Sequence, residues 1–148
     1  MPPARVMVRY GCGKRNLVET ILVVDDDPWV LGLARDVLAG EGYRILDATS
    51  GEAALRIAAG HAGPIHLLLT DVVMPGMGAK ELADRLRPGR PELKVVYMSA
   101  YTAEVMGQHG VIETDVPFIA KPFTPDFLIR KIREVLQPRP AYRRPDPR

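Results

Sequence analysis

From residue 20 to residue 137 the chain alternates continuous apolar runs with segments of helical spacing. "TILVVDD" at 20–26 is aliphatic and rich in β-branched residues, the pattern of a strand covered on both faces. The period then changes. Asp27 is placed to cap a helix and Pro28 occupies its first position, while Val30, Leu33, Ala34 and Val37 make an apolar stripe and Gly40 or Gly42 ends it. "YRILDAT" at 43–49 reads as a second strand, and Ser50 opens a helix carrying Ala53, Ala54, Leu55, Ile57 and Ala58 that stops near Gly60.

The unit repeats. "PIHLLLTD" at 64–71 predicts a third buried strand, and a helix over 78–87 follows with Leu82, Ala83 and Leu86, ended by "RPGRP". "LKVVYMSA" at 93–100 is a fourth strand and "VPFIAKP" at 116–122 a fifth. Between them, 101–115 makes a poor helix because of Gly107 and Gly110. The last helix is well marked: Thr124 caps it, Pro125 starts it, and Phe127, Leu128, Ile132, Val135 and Leu136 supply the stripe. Five strands alternating with five helical segments predict an α/β fold, a doubly wound parallel sheet with helices on both faces.

In an open parallel sheet the C-terminal ends of the strands share one edge, where ligands bind. Here the first strand ends in Asp25 and Asp26, the third in Asp71, the fourth in Ser99 and the fifth in Lys121. If the strand order is 2-1-3-4-5, the first and third strands are neighbours and their three carboxylates face one another. Such a cluster repels itself unless a cation joins it, and oxygen donors suit magnesium better than zinc. Lys121 and Ser99 add a fixed positive charge and a hydroxyl. Together these groups suit phosphoryl chemistry, in which a carboxylate attacks phosphorus while metal and lysine neutralise the transferring oxygens.

"ILVVDDDP", "LLLTDVVMPGMG", "VVYMSAYT" and "FIAKPF" stand in the order of the signature blocks of response-regulator receiver domains, and the chain over about 20–137 resembles this CheY-like, flavodoxin-like family of two-component signalling. The resemblance implies that Asp71 is the phosphoacceptor. Asp26, Asp71 and the backbone carbonyl of Val73 would bind Mg2+ directly, with Asp25 acting through water; Mn2+ would substitute. Ser99 and Lys121 would hold phosphoryl oxygens, Phe118 matches the aromatic whose rotamer reports activation, and the Lys121–Pro122 bond would be cis. Val73 and Tyr101 fall at positions that tune water access, which implies a slowly hydrolysing aspartyl phosphate. The implied partners are a sensor histidine kinase or histidine phosphotransfer protein as donor and a downstream protein on the face of the fourth and fifth strands. A monomer or weak dimer is expected. Two departures stand out: Gly78 and Ala79 follow Met77 where the family has its glycine two residues on, and "YMSAYT" is more similar to receivers joined to hybrid kinases than to chemotaxis regulators.

Composition adds boundaries. The chain of 148 residues has net charge +2, but residues 1–18 carry +4 and 137–148 carry +3, leaving −5 for the body between. We expect a basic N-terminal extension at 1–18, a receiver domain at 19–137 and a Pro/Arg-rich tail at 138–148, the tails serving solubility rather than nucleic acid or membrane contact. No DNA-binding domain and no membrane-spanning or signal segment is expected, and the single Cys12 forms no internal disulfide, all consistent with a cytoplasmic protein. His61, His66 and His109 lack ligand spacing, Met74, Met77 and Met98 read as gap fillers, and Trp29 reads as packing beside the pocket. Two other classes remain: a pseudo-receiver that only binds partners, signalled by loss of an acid or the lysine, and an aspartyl-phosphate phosphotransferase or phosphatase, which places its nucleophile on the first strand in a D-x-D pattern. The acids and lysine are all present, in receiver order.

Overall fold

The computed structural model describes residues 18–100 and 116–137. In chain order its elements are β1 (Thr20–Val24), α1 (Pro28–Gly40), β2 (Arg44–Ala48), α2 (Gly51–Gly60), β3 (Leu67–Asp71), α3 (Ala79–Leu86), a 3-10 turn (Arg87–Gly89), β4 (Lys94–Ser99), β5 (Phe118–Ala120) and α4 (Pro125–Leu136). All five strands run parallel in the order β2-β1-β3-β4-β5, as anticipated. The segment 101–115, with Tyr101 and His109, lies outside the described residues, as do Cys12 and most of both tails.

Alternation along the strands sorts the core into two layers. On one face Leu22, Val24, Leu68, Val95 and Tyr97 meet Ala54 and Ala58 of α2 and Ala79, Leu82, Ala83 and Leu86 of α3. On the other, Ile21, Val23, Leu67, Leu69, Val96, Met98 and Ile119 meet Leu31, Ala34 and Leu38 of α1 and Leu128 and Ile132 of α4. Each of these larger side chains contributes roughly 1.5–3 kcal/mol by leaving water.

The caps lie where the sequence puts them. Asp27 Oδ1 accepts the Trp29 N–H at 2.9 Å, Ser50 Oγ the Ala53 N–H at 3.0 Å, and Thr124 Oγ1 the Phe127 N–H at 3.1 Å. Gly40 stays helical and α1 ends through Gly42, whose φ of +96° suits glycine. At the end of α2, Arg90 reaches back from beyond α3 and donates to the carbonyls of Ala58, His61 and Gly63 at 3.0–3.1 Å, tying the last turn of the helix to the loop that follows it.

Three expectations need correction. β3 starts at Leu67 rather than residue 64: Pro64 has no N–H, and pairing begins only where His66 donates to Thr20 O at 2.8 Å. β5 is three residues long because Pro117 and Pro122, which lack donors, bound it closely. The stripe of α1 is rotated from the one expected: Leu31, Ala34 and Leu38 are buried, whereas Leu33 is 39% exposed. Accordingly, Leu68→Ala is expected to cost about 2–5 kcal/mol, and Leu33→Ala about 0.5 kcal/mol or less, in urea unfolding. Comparable losses for the two would contradict this helix orientation.

Candidate functional site

Parallel pairing brings the ends of β1, β3, β4 and β5 to one edge. Val24 pairs with Thr70, Asp71 with Met98, and Ser99 with Ala120, so Asp25, Asp71, Ser99 and Lys121 follow from register. One carboxylate oxygen each from Asp25, Asp26 and Asp71 lie within 4.8 Å of one another. The three are not equivalent. Asp25 is fully buried and committed, its Oδ1 accepting the Asp27 N–H at 2.9 Å and its Oδ2 accepting from Lys121 Nζ at 2.7 Å. Asp26 is exposed, and Asp71, at the end of β3, is 8% exposed with Oδ1 3.3 Å from Lys121 Nζ. Asp27 stands apart as the cap of α1.

Burial and the neighbouring charge of Asp25 push the Asp71 carboxyl up to about 6, against the opposing pull of Lys121. Burial also works against the charged form of Lys121, but its hydrogen bond to Asp25 and the charges of Asp71 and Asp25 outweigh this and raise it. The arrangement suits a cation: three hard oxygen donors lie together, and the one ammonium, set against two of them, does not fully offset their charge. Asp71 is no helix cap, since α3 begins at Ala79 with Gly78 before it.

Other expected residues are placed as follows. Ser99 is buried at the end of β4, where its carbonyl accepts the Lys121 N–H at 2.9 Å. Phe118 is partly buried against the α2/α3 layer, beside Tyr97 in the register. The Lys121–Pro122 bond is cis. Val73 is 51% exposed. Trp29 does not pack beside the pocket: it is 80% exposed, because it follows the cap on the outer side of the first turn of α1. His66 is structural, its Nδ1 accepting the Thr20 N–H at 2.9 Å at the start of the sheet. The loop after Asp71 closes without a glycine at 79: Ala79 is fully buried and donates to Val72 O at 3.2 Å. Sequence reasoning missed the Asp27 N–H that fixes Asp25, an interaction the run of three acids hints at only through its turn into a capped helix.

The raised Asp71 carboxyl has a defined sign in stability. In metal-free protein its ionisation opposes folding; the penalty is absent below the ordinary value of 3.8, grows as pH rises, and is complete above about 6. Asp71→Asn should therefore stabilise the metal-free fold at neutral pH by roughly 1–3 kcal/mol. Urea unfolding of both proteins across pH checks this, the advantage fading as pH falls through 6 toward 4; a pH-independent difference would contradict it.

Residues 21–133 match the family profile described as response regulator receiver domain. Among curated relatives, the sensor kinase CckA of Brucella abortus is 30% identical over 118 residues, covering 80% of this chain and 12% of the relative. The response regulator GtcR of Aneurinibacillus migulanus is 32% identical over 119 residues, covering 80% and 48%. The chain thus spans less than half the length of either. Among solved structures, the receiver domain from the hybrid histidine kinase CckA has a TM-score of 0.68 at 35% identity, covering 80% of this chain and 99% of that one. The chemotaxis response regulator CheY4 of Vibrio cholerae has a TM-score of 0.71 over 81% of this chain and all of that one; at 24% identity it speaks to the fold alone. With its sheet order, its acid cluster and this match over most of its length, the chain belongs to the response regulator receiver domains of two-component signalling.

Proposed function

We propose that the chain accepts a phosphoryl group on Asp71 from a phosphohistidine of a histidine kinase or histidine phosphotransfer protein, and signals by a change in conformation. The observation that carries this reading is the gathering of Asp25, Asp26 and Asp71 within 4.8 Å, with Lys121 bridging Asp25 and Asp71. Asp26, Asp71 and the carbonyl of Val73 would hold Mg2+ directly and Asp25 through water. Bound there, the ion supplies positive charge to the transferring oxygens.

An Asp71 carboxylate oxygen forms the new bond to phosphorus as the phosphorus–nitrogen bond to the donor imidazole breaks. Lys121, already held between two acids, pairs with one phosphoryl oxygen, and the Ser99 hydroxyl donates to another. Engagement of Ser99 draws on the end of β4, whose neighbour in the register is β5 with Phe118. That couples the site to the β4/β5 face as a shift between populations, the face on which a downstream protein would dock. On this reading the domain is a switch rather than an enzyme with a separate substrate. Val73, half exposed two residues after Asp71, would limit water access and lengthen the life of the acyl phosphate; Tyr101, expected to share that role, lies outside the described residues.

Incubation with acetyl phosphate and Mg2+, followed by intact mass, tests the acceptor. Wild type should gain a single phosphoryl group, lost when EDTA is added beforehand, and Asp71→Asn should gain none. Asp26→Asn should label only at raised Mg2+ concentration, with at least about a tenfold loss of metal affinity. An unlabelled wild type, or a labelled Asp71→Asn, would sink the assignment.

A further inference from the structure

The loop from Val72 to Ala79 follows directly from Asp71. Its ends are tied down: the Val72 N–H donates to Met98 O at 3.0 Å, and the Ala79 N–H donates to Val72 O at 3.2 Å. Its middle has a different support, the first turn of α2, which reaches it from another part of the chain. Gly51 is buried, and a Cβ placed on it would lie 2.9 Å from Met77 Cβ and 3.0 Å from Met77 Cγ and Sδ. Met77 is itself 7% exposed and belongs to the α2/α3 core layer, so it cannot swing aside into solvent. One residue earlier, Gly76 has a φ of +79°, and the Glu52 carboxylate lies 3.1 Å from where its Cβ would stand. Two successive residues of α2 therefore lie close against two successive residues of the loop, with little room for a side chain at either glycine. The Ser50 cap fixes this end of α2 through the Ala53 N–H.

We propose that Gly51 and Glu52 are positioning residues for Mg2+, setting through Gly76 and Met77 the part of the loop that presents the Val73 carbonyl. The proposal rests on the reading that this carbonyl is a metal ligand. A side chain at residue 51 must separate α2 from Met77, and the closure at Val72 and Ala79 leaves the loop's free middle to absorb the displacement. The loop can move there while Asp71, hydrogen-bonded within β3, stays in place.

The experiment is Mg2+ titration by calorimetry on wild type, Gly51→Ala, Met77→Ala and Leu38→Ala, each with its urea unfolding curve. Leu38 is fully buried on the opposite face of the sheet, so its truncation destabilises the fold without touching the loop. Gly51→Ala is expected to weaken Mg2+ binding about tenfold, the scale of losses when groups supporting metal ligands are altered. Met77→Ala, which removes the abutment and leaves the close approach of Gly51 intact, should weaken it in the same direction and decides the matter if Gly51→Ala does not fold. Leu38→Ala should keep wild-type affinity despite lower stability. Wild-type affinity in Gly51→Ala and Met77→Ala, or losses in all three variants that merely follow stability, would overturn the proposal. Wild type that binds no Mg2+ would overturn the functional reading and this inference with it, whereas binding by wild type and equal binding by Gly51→Ala would overturn this inference alone.

Discussion

One ammonium group holds the functional edge together. Lys121 Nζ lies 2.7 Å from Asp25 and 3.3 Å from Asp71, joining the C-terminal ends of β1, β3 and β5. Without it, the buried Asp25 would face Asp71 with no opposite charge between them, an arrangement that costs several kcal/mol in a low-dielectric setting. With it, the charges still do not cancel, because three acids stand against one lysine. That residual imbalance is what disposes the site toward a cation. Sheet order is the precondition, since only with β1 and β3 adjacent do the acids meet.

Much of this was legible in the sequence, for identifiable reasons. Parallel strands buried on both faces read as unbroken apolar runs, and Asp27–Pro28, Ser50 and Thr124–Pro125 are local start signals that need no tertiary knowledge. Once the strands were placed, the edge rule gathered Asp25, Asp26, Asp71, Ser99 and Lys121. What stayed hidden depends on contacts distant in sequence. The apolar residues at 30, 31, 33, 34, 37 and 38 allow two orientations of α1, and only packing against the sheet and α4 selects the one that buries Leu31 and Leu38 and exposes Trp29. The Arg90 clamp on Ala58 spans 32 residues and the contact of Gly51 with Met77 spans 26, and neither leaves a periodic mark.

The site also shows how identical side chains acquire different roles from backbone position alone. Asp25, Asp26 and Asp27 are consecutive, yet one is sealed against a lysine, one faces solvent, and one caps a helix. The turn from strand into helix rotates each side chain to a separate environment. A charge-preserving exchange such as Asp to Glu would not be neutral at the first or third position, since each carboxylate meets a backbone N–H at 2.9 Å from a fixed distance along its own chain.

Among the described residues, the sheet divides the interior into two compartments that share no side chains. Leu68 faces α2 and α3, while its neighbours Leu67 and Leu69 face α1 and α4. Packing errors on one side are therefore screened from the other by a layer of hydrogen-bonded backbone, and their energetic effects approach simple addition. For a lineage drifting in sequence, each compartment can be rebuilt at its own pace: the helices on one side can change their surfaces while the other side keeps the acidic edge in register.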